Sequence, residues 1–170
     1  MLDLGCGTGW AVRFAASSAN WRGEFYGIDI SSRMIEKAQA GVADHKNVHF
    51  RKANAEKLPF DNAFFDIVIC CNSFHHYFSP SNVLSEVYRV LRPNGKFYVL
   101  DITADGIPTR ILDWLAKKRE PAHVKFYSTR EFRKFFGEAG LQYLTSKPIV
   151  LSAKVHITQK QLDAATQSSS

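Results

Sequence analysis

The chain has little cysteine, and its thiols lack the spacing of a structural site. Only Cys6, Cys70 and Cys71 occur among its 170 residues. Two of them are adjacent, which disfavours a disulfide between them, and none has the spacing of a zinc ligand set. We therefore expect no bound metal and a reducing, cytoplasmic location.

Long apolar runs are also missing. No run approaches the ~20 residues that a membrane-spanning helix needs, and no basic segment followed by an apolar one precedes the first strand-like run. A chain of 170 residues can bury the core of one domain. We predict a single domain over residues 1–160, a disordered tail over residues 161–170, and no membrane partner.

The net charge of +6 is concentrated in the second half of the chain. Residues 1–88 carry 8 Lys/Arg against 9 Asp/Glu, a balance of −1, whereas residues 89–170 carry 14 against 7, a balance of +7. A basic half suits an anionic substrate or a nucleic acid. Because no arginine-rich run or interleaved aromatic stripe accompanies it, a solvated basic surface is favoured and a nucleic-acid partner is not.

A glycine-rich segment, Asp3-Leu4-Gly5-Cys6-Gly7-Thr8-Gly9, separates the first apolar run from a helical pattern. A second apolar run closes on Asp29. A glycine turn after one strand and an acid after the next hold adenosine-containing ligands in open α/β sheets, where the acid accepts hydrogen bonds from ribose hydroxyls. The glycines allow a tight turn and a close approach of the backbone to the ligand.

The spacing of this segment distinguishes between ligands. A dinucleotide fingerprint places its last glycine where this chain has Trp10. Asp3, two residues before the first glycine, would repel a pyrophosphate but could bind an ammonium group. The residues therefore favour a cationic amino-acid nucleoside, such as S-adenosylmethionine, over a dinucleotide.

Five segments together resemble the class I S-adenosylmethionine-dependent methyltransferases, in particular the small-molecule branch that includes the ubiquinone and menaquinone biosynthesis enzymes. They are Asp3–Gly9, Gly27–Ser31, Asn54–Phe60, Phe65–Cys70 and Leu91–Lys96. Five motifs in the expected order are far more specific than one glycine motif. The resemblance implies methyl transfer from S-adenosylmethionine to an O, N or C centre of a small molecule, with S-adenosylhomocysteine as product.

The resemblance also implies which residues hold the methyl donor. These cofactor-binding residues are Asp3, Gly5, Cys6, Gly7, Asp29, Ile30, Asn54, Ala55 and Cys71. Asp3 and the Gly5 backbone would hold the amino group, Asp29 the ribose, and Ile30 the face of the adenine. Asn54 stands where the family often has Asp; it can still accept through its carbonyl oxygen, although a plain turn residue is the alternative.

Strand-like and helix-like patterns alternate along most of the chain. The predicted strands are Met1–Leu4, Glu24–Asp29, Val48–Lys52, Asp66–Cys71, Lys96–Asp101, Gln142–Val150 and Ala153–Thr158, and the predicted helices are Trp10–Ser18, Ser32–Ala43, Ser79–Leu91 and Ser128–Gly140. The resemblance implies an α/β, Rossmann-like, mostly parallel sheet of order 3-2-1-4-5-7-6. Its final hairpin contributes an antiparallel strand, and helices cover both faces. Family members usually have a helical segment before the first strand, so we expect a truncated start and an open, weakened cofactor site.

Candidate catalytic residues follow the fourth strand. His75 and His76 could act as a base, because imidazole titrates near neutral pH. Their side chains diverge, so at most one can face the reaction, and shaping the pocket is an equally good role for both. We interpret Asp101 as a polar strand end. Residues 103–127 form an insertion or lid on the acceptor side, in which an amphipathic helix, Phe126 and Tyr127 could line the acceptor pocket.

Three other functions stay open. A protein or nucleic-acid methyltransferase is the main rival, although Cys71-Asn72-Ser73-Phe74 lacks the Asn/Asp-Pro-Pro-Tyr/Phe element of enzymes that methylate base amino groups. A non-catalytic cofactor-binding scaffold is the second. A nicotinamide-dependent dehydrogenase is the weakest, because Trp10 breaks its fingerprint.

Overall fold

Strands and helices alternate through the protein, as the sequence pattern predicts. The computed structural model describes residues 1–18, 21–42, 45–119, 123–150 and 152–162. The strands are β1 (Leu2–Leu4), β2 (Phe25–Asp29), β3 (Val48–Lys52), β4 (Phe65–Cys71), β5 (Leu91–Ile102), β6 (Leu141–Val150) and β7 (Ala153–Lys160). The helices are α1 (Trp10–Ala16), α2 (Ser32–Ala40), α3 (Pro80–Val90), α4 (Ile107–Arg119) and α5 (Thr129–Glu138), with a short 3₁₀ turn at Phe74–His76. The predicted helix end at Ala43 and most of the predicted tail, residues 163–170, lie outside the described residues.

All seven strands form one sheet of order β3-β2-β1-β4-β5-β7-β6, which confirms the predicted order. Strands β1 to β5 are parallel, and β7 pairs antiparallel with both β5 and β6. In the central strand, Leu4 is in register with Ile28 of β2 and Cys70 of β4. The three strands therefore end together, and the segments that follow them meet at one edge of the sheet, where open α/β folds bind ligands.

Strand β5 starts earlier than predicted. We expected a turn at Pro93-Asn94-Gly95 and a strand from Lys96, but pairing with β4 begins at Leu91. The register then jumps from the Phe65–Leu91 pair to the Ile67–Lys96 pair, so four residues of β5 oppose one of β4. Asn94 takes a left-handed φ of 65° within this bulge. The turn chemistry is thus used inside a strand rather than before it.

Helices cover both faces of the sheet, as predicted. On one face, α3 and α5 bury apolar side chains, including Val87 and Phe132, against the strands. On the other, α1 and α2 bury Val12 and Ile35 in a second apolar cluster. The predicted capping box starts α5: the Glu131 N–H donates to Ser128 Oγ, and the Ser128 N–H donates to Glu131 Oε2.

Helix α4 stands apart from this packing. Thr109 is its only buried residue in the described part of the chain. The segment that contains it is tied to the body at its two ends by a bridge between Thr103 and Tyr127. No helix among the described residues is both long and apolar enough to cross a bilayer.

Candidate cofactor and active site

A cavity of about 580 Å³ opens at the carboxyl edge of β1, β2 and β4. This volume lies within the usual range for small-molecule sites. It is lined by Gly5, Gly7, Ile28, Asp29, Ile30, Ser31, Met34, Ala53, Asn54, Ala55, Glu56, Asn72, Ser73, His76, Tyr77 and Phe78. Six of the nine predicted cofactor-binding residues are in this lining, and Asp3, Cys6 and Cys71 are not.

The glycine loop forms the floor of the cavity. Gly5 and Gly7 both adopt left-handed φ values, 66° and 52°. A Cβ at Gly5 would come within 2.6 Å of Ser73 Cβ, so glycine is needed there for packing. A Cβ at Gly7 would meet nothing within 4 Å, because that side of the backbone faces the open cavity. Gly5 therefore packs the loop against the protein, and Gly7 leaves room for a ligand.

Two backbone donors hold the Asp29 carboxylate at the cavity wall. The Gly7 N–H donates to Asp29 Oδ2 at 3.0 Å, and the Ser31 N–H donates to Asp29 Oδ1 at 2.8 Å. Each carboxylate oxygen has a further acceptor site. Asp29 is thus fixed in place yet can still accept two hydroxyl hydrogen bonds, as predicted for a ribose.

The Asp3 carboxyl group lies beneath the loop, only 2% exposed. Its Oδ1 atom is buried and has no hydrogen-bond partner. Burial, reinforced by repulsion from Asp29, raises the pKa of Asp3 to about 8. A buried acceptor left unsatisfied costs free energy. It would be satisfied by a donor, and most strongly by a cationic one.

Ile30 and Asn54, both predicted to contact the adenine, line the cavity in different ways. Ile30 is largely exposed at the cavity wall, where its side chain could pack on a flat ligand ring. Asn54 Oδ1 accepts the Glu56 N–H at 2.9 Å, so the residue makes the turn of the alternative interpretation. It also lines the cavity beside Ala55, and its amide can still reach a ligand.

The two predicted cysteines are absent from the cavity lining, and their predicted contacts with the donor are through the backbone. The Cys6 N–H donates to the Ile28 carbonyl at 2.8 Å, and its side chain packs in the apolar cluster under α1 and α2. The Cys6 N–H is therefore already hydrogen-bonded at the edge of the sheet. Cys71 ends β4, half-buried.

His76 lines the cavity, whereas His75 points away from it into a buried pair with Asp101. His75 Nδ1 lies 2.8 Å from Asp101 Oδ1, and the His75 N–H donates to Oδ2 at 3.1 Å. The two imidazole centroids are 4.0 Å apart. Asp101 is therefore more than the polar strand end that we predicted. Its position at the end of β5, on the ligand edge, was the sequence signal that pointed to it.

A second His–Asp pair joins α4 to this cluster. His123 Nε2 lies 2.8 Å from Asp113 Oδ1, and the ring centroids of His123 and His75 are 5.4 Å apart. Phe126 and Tyr127, predicted as pocket residues, are buried and do not line the cavity. Within the described ranges, no group of three or more histidine, cysteine or acidic side chains is arranged to hold a metal ion.

Comparisons with known proteins agree with this architecture. The chain is 31% identical over 147 residues to the uncharacterized methyltransferase YcgJ of Bacillus subtilis, covering 84% of this chain and 57% of that protein. The crystal structure of YcgJ superposes with a TM-score of 0.81 at 24% identity, covering 95% and 92% of the two chains. A demethylmenaquinone methyltransferase of Listeria monocytogenes is 30% identical over 167 residues, covering 85% of this chain and 70% of that protein.

The family match covers the part of the chain that carries the motifs. The model of the methyltransferase domain matches residues 2–99, which contain the glycine loop, Asp29, Asn54 and both candidate histidines. This match confirms the class predicted from the five motifs. The chain spans just over half the length of YcgJ, so the match concerns the domain and not the whole of its relatives. The protein belongs to the methyltransferase domain family.

Proposed function

We propose that the protein binds S-adenosylmethionine in the cavity and transfers its methyl group to a small molecule. The orphan Oδ1 of Asp3 carries this proposal. In the ligand-free protein the raised pKa keeps this buried carboxyl group beside the glycine loop largely protonated near pH 7, and the methionine ammonium of the donor would favour its ionised, accepting form. Family membership and the open space over Gly7 support the same donor.

The other predicted residues would contact different parts of the donor. The Asp29 carboxylate would accept the ribose hydroxyls with the oxygen lone pairs that its two backbone donors leave over. Ile30 would pack on the adenine, and Asn54 with Ala55 would contact its edge. Gly5, Cys6, Gly7 and Cys71 would approach the donor by their backbone.

When bound, S-adenosylmethionine supplies a methyl group on a positively charged sulfur that is already a good leaving group. The protein must then align a nucleophile with that methyl group, which is catalysis by orientation. We propose that His76, on the cavity wall, accepts the proton released by a hydroxyl or amine acceptor. His75 and Asp101 act as positioning residues, because their buried pair fixes the turn that carries His76.

The volume of the cavity and the name of a relative both support a small-molecule acceptor. One relative is named a demethylmenaquinone methyltransferase, after a quinone acceptor, and the 580 Å³ cavity already has to hold the donor. The three free thiols support a reducing, cytoplasmic location. Because function depends on the site and not on the fold, we propose the class of the acceptor and not its identity.

The test is transfer of a radiolabelled methyl group to fractionated cell extract. We expect label in the small-molecule fraction with wild-type protein and none with Asp29→Ala. His76→Asn, which keeps the donor site intact, is the matched control and should bind the donor but transfer slowly. Label confined to protein or nucleic acid would overturn the small-molecule assignment. Donor binding without transfer to any fraction would indicate a scaffold.

A further inference from the structure

Helix α4 presents an apolar face to solvent. Ile107, Ile111 and Trp114 are 74%, 54% and 56% exposed. At 100° per residue they lie on one side of the helix, opposite the buried Thr109. In soluble proteins a contiguous exposed apolar face usually marks an interaction site.

The tip of the β6–β7 hairpin exposes further apolar side chains near the connection that leads into α4. The Thr103 N–H donates to the Ser152 carbonyl at 2.9 Å, which fixes the tip beside the connection that leads into α4. Ile149 and Val150 at that tip are 56% and 63% exposed. We call these residues of the hairpin tip, together with Ile107, Ile111 and Trp114, the α4 surface.

Positive charge accompanies the exposed apolar residues. Helix α4 contains Arg110, Lys117, Lys118 and Arg119 against a single acid, Asp113, a net charge of +3. The Lys118 ammonium lies 3.7 Å from the centroid of the Trp114 ring. This cation–π contact holds a positive charge on the face of the exposed Trp114 ring. The charge around the α4 surface therefore complements an anionic layer and not a neutral protein groove.

We propose that the α4 surface docks on an anionic lipid bilayer, with α4 lying in the interface plane. Short helices that combine tryptophan and branched apolar residues with flanking lysine and arginine bind membranes in this way. Such peripheral attachment would differ from our prediction of no membrane partner. The surface also lies at the sheet edge that carries the cavity, because α4 follows the carboxyl end of β5.

The test is flotation of the protein with vesicles of phosphatidylcholine alone or mixed with phosphatidylglycerol. We expect binding only to the anionic vesicles, weakened by salt. Ile111→Glu with Trp114→Glu should abolish it, and Arg110→Gln with Arg119→Gln should weaken it about fivefold per charge. The matched control is Phe14→Glu, an equally exposed aromatic on α1, which should bind as the wild type does.

Fluorescence gives a readout that does not depend on flotation. In a variant with Trp10→Phe and Trp21→Phe, the remaining Trp114 should shift its emission to the blue when anionic vesicles are added. No shift and no flotation would overturn the proposal. So would equal binding of the Ile111→Glu, Trp114→Glu variant. A dimer in solution that the same variant dissociates would assign the α4 surface to a second copy of the chain and would also overturn it.

Discussion

Replacing Asp3 with Asn should make the ligand-free protein more stable near neutral pH while removing the site of the donor's ammonium. The pKa of Asp3 is raised from 3.8 to about 8 by burial and by Asp29. The folded state therefore holds a proton that the unfolded state has already released, so the wild type loses stability as pH rises between these two values. Each step of one in pH within this interval costs about 1.4 kcal/mol of unfolding free energy. From pH 5 to pH 7 the wild type should lose ~2.5 kcal/mol through this group.

The Asn variant is neutral in both states and lacks this slope. Both proteins should unfold at similar urea concentrations at pH 5, where Asp3 is protonated when folded, and diverge as pH rises. Urea titrations at pH 5, 6 and 7 measure the difference in unfolding free energy directly. Parallel pH dependences, or a variant that is less stable than the wild type at pH 7, would refute our interpretation of Asp3 as a buried, unsatisfied acid.

Two further predictions concern the loop and the histidine cluster. Gly7→Ala should cost about 1 kcal/mol of stability, because alanine is strained at this left-handed φ, and it should weaken donor binding. Gly5→Ala has the same strain and also drives a methyl group into a neighbouring side chain, so it should cost roughly 3 kcal/mol. Thermal unfolding that shows an equal loss of stability in the two variants would contradict this. His76→Asn should slow transfer to a hydroxyl or amine acceptor about a hundredfold, with donor affinity unchanged. Asp101→Asn should destabilise the protein by ~2 kcal/mol, because it weakens the buried hydrogen bonds with His75, and should lower kcat more than it changes KM; a change in KM alone would argue against positioning.

The sheet order could be predicted because the resemblance of the five motifs to the class I methyltransferases implies it and the strand patterns agree with it. The glycine segment, the acid of Asp29 and the apolar β4 run each indicate a strand end at the same edge, and the motif order implies the rest. The start of β5 could not be predicted, because Pro93-Asn94-Gly95 has the same chemistry in a turn and in a bulge. Only pairing with β4 decides between them, and that pairing is a long-range contact.

The cavity residues that follow strand ends were predictable from the resemblance, whereas their roles toward the donor stay predictions. Which histidine faces the cavity was not predictable, because it depends on the direction of the 3₁₀ turn after β4. The His75–Asp101 pair joins residues 26 positions apart. The exposed apolar face of α4 was equally hidden: its sequence suits a roof over the acceptor pocket, and only its few contacts with the body show that it faces solvent.

Calorimetric titration of the purified protein with S-adenosylmethionine tests the central claim most directly. We predict one saturable site for S-adenosylmethionine and S-adenosylhomocysteine, and none for a nicotinamide dinucleotide. Binding should fall more than about tenfold in Asp29→Ala, which loses two ribose hydrogen bonds, and should also fall in Asp3→Asn. Heat of binding that is absent from the wild type, or unchanged in both variants, would contradict the account.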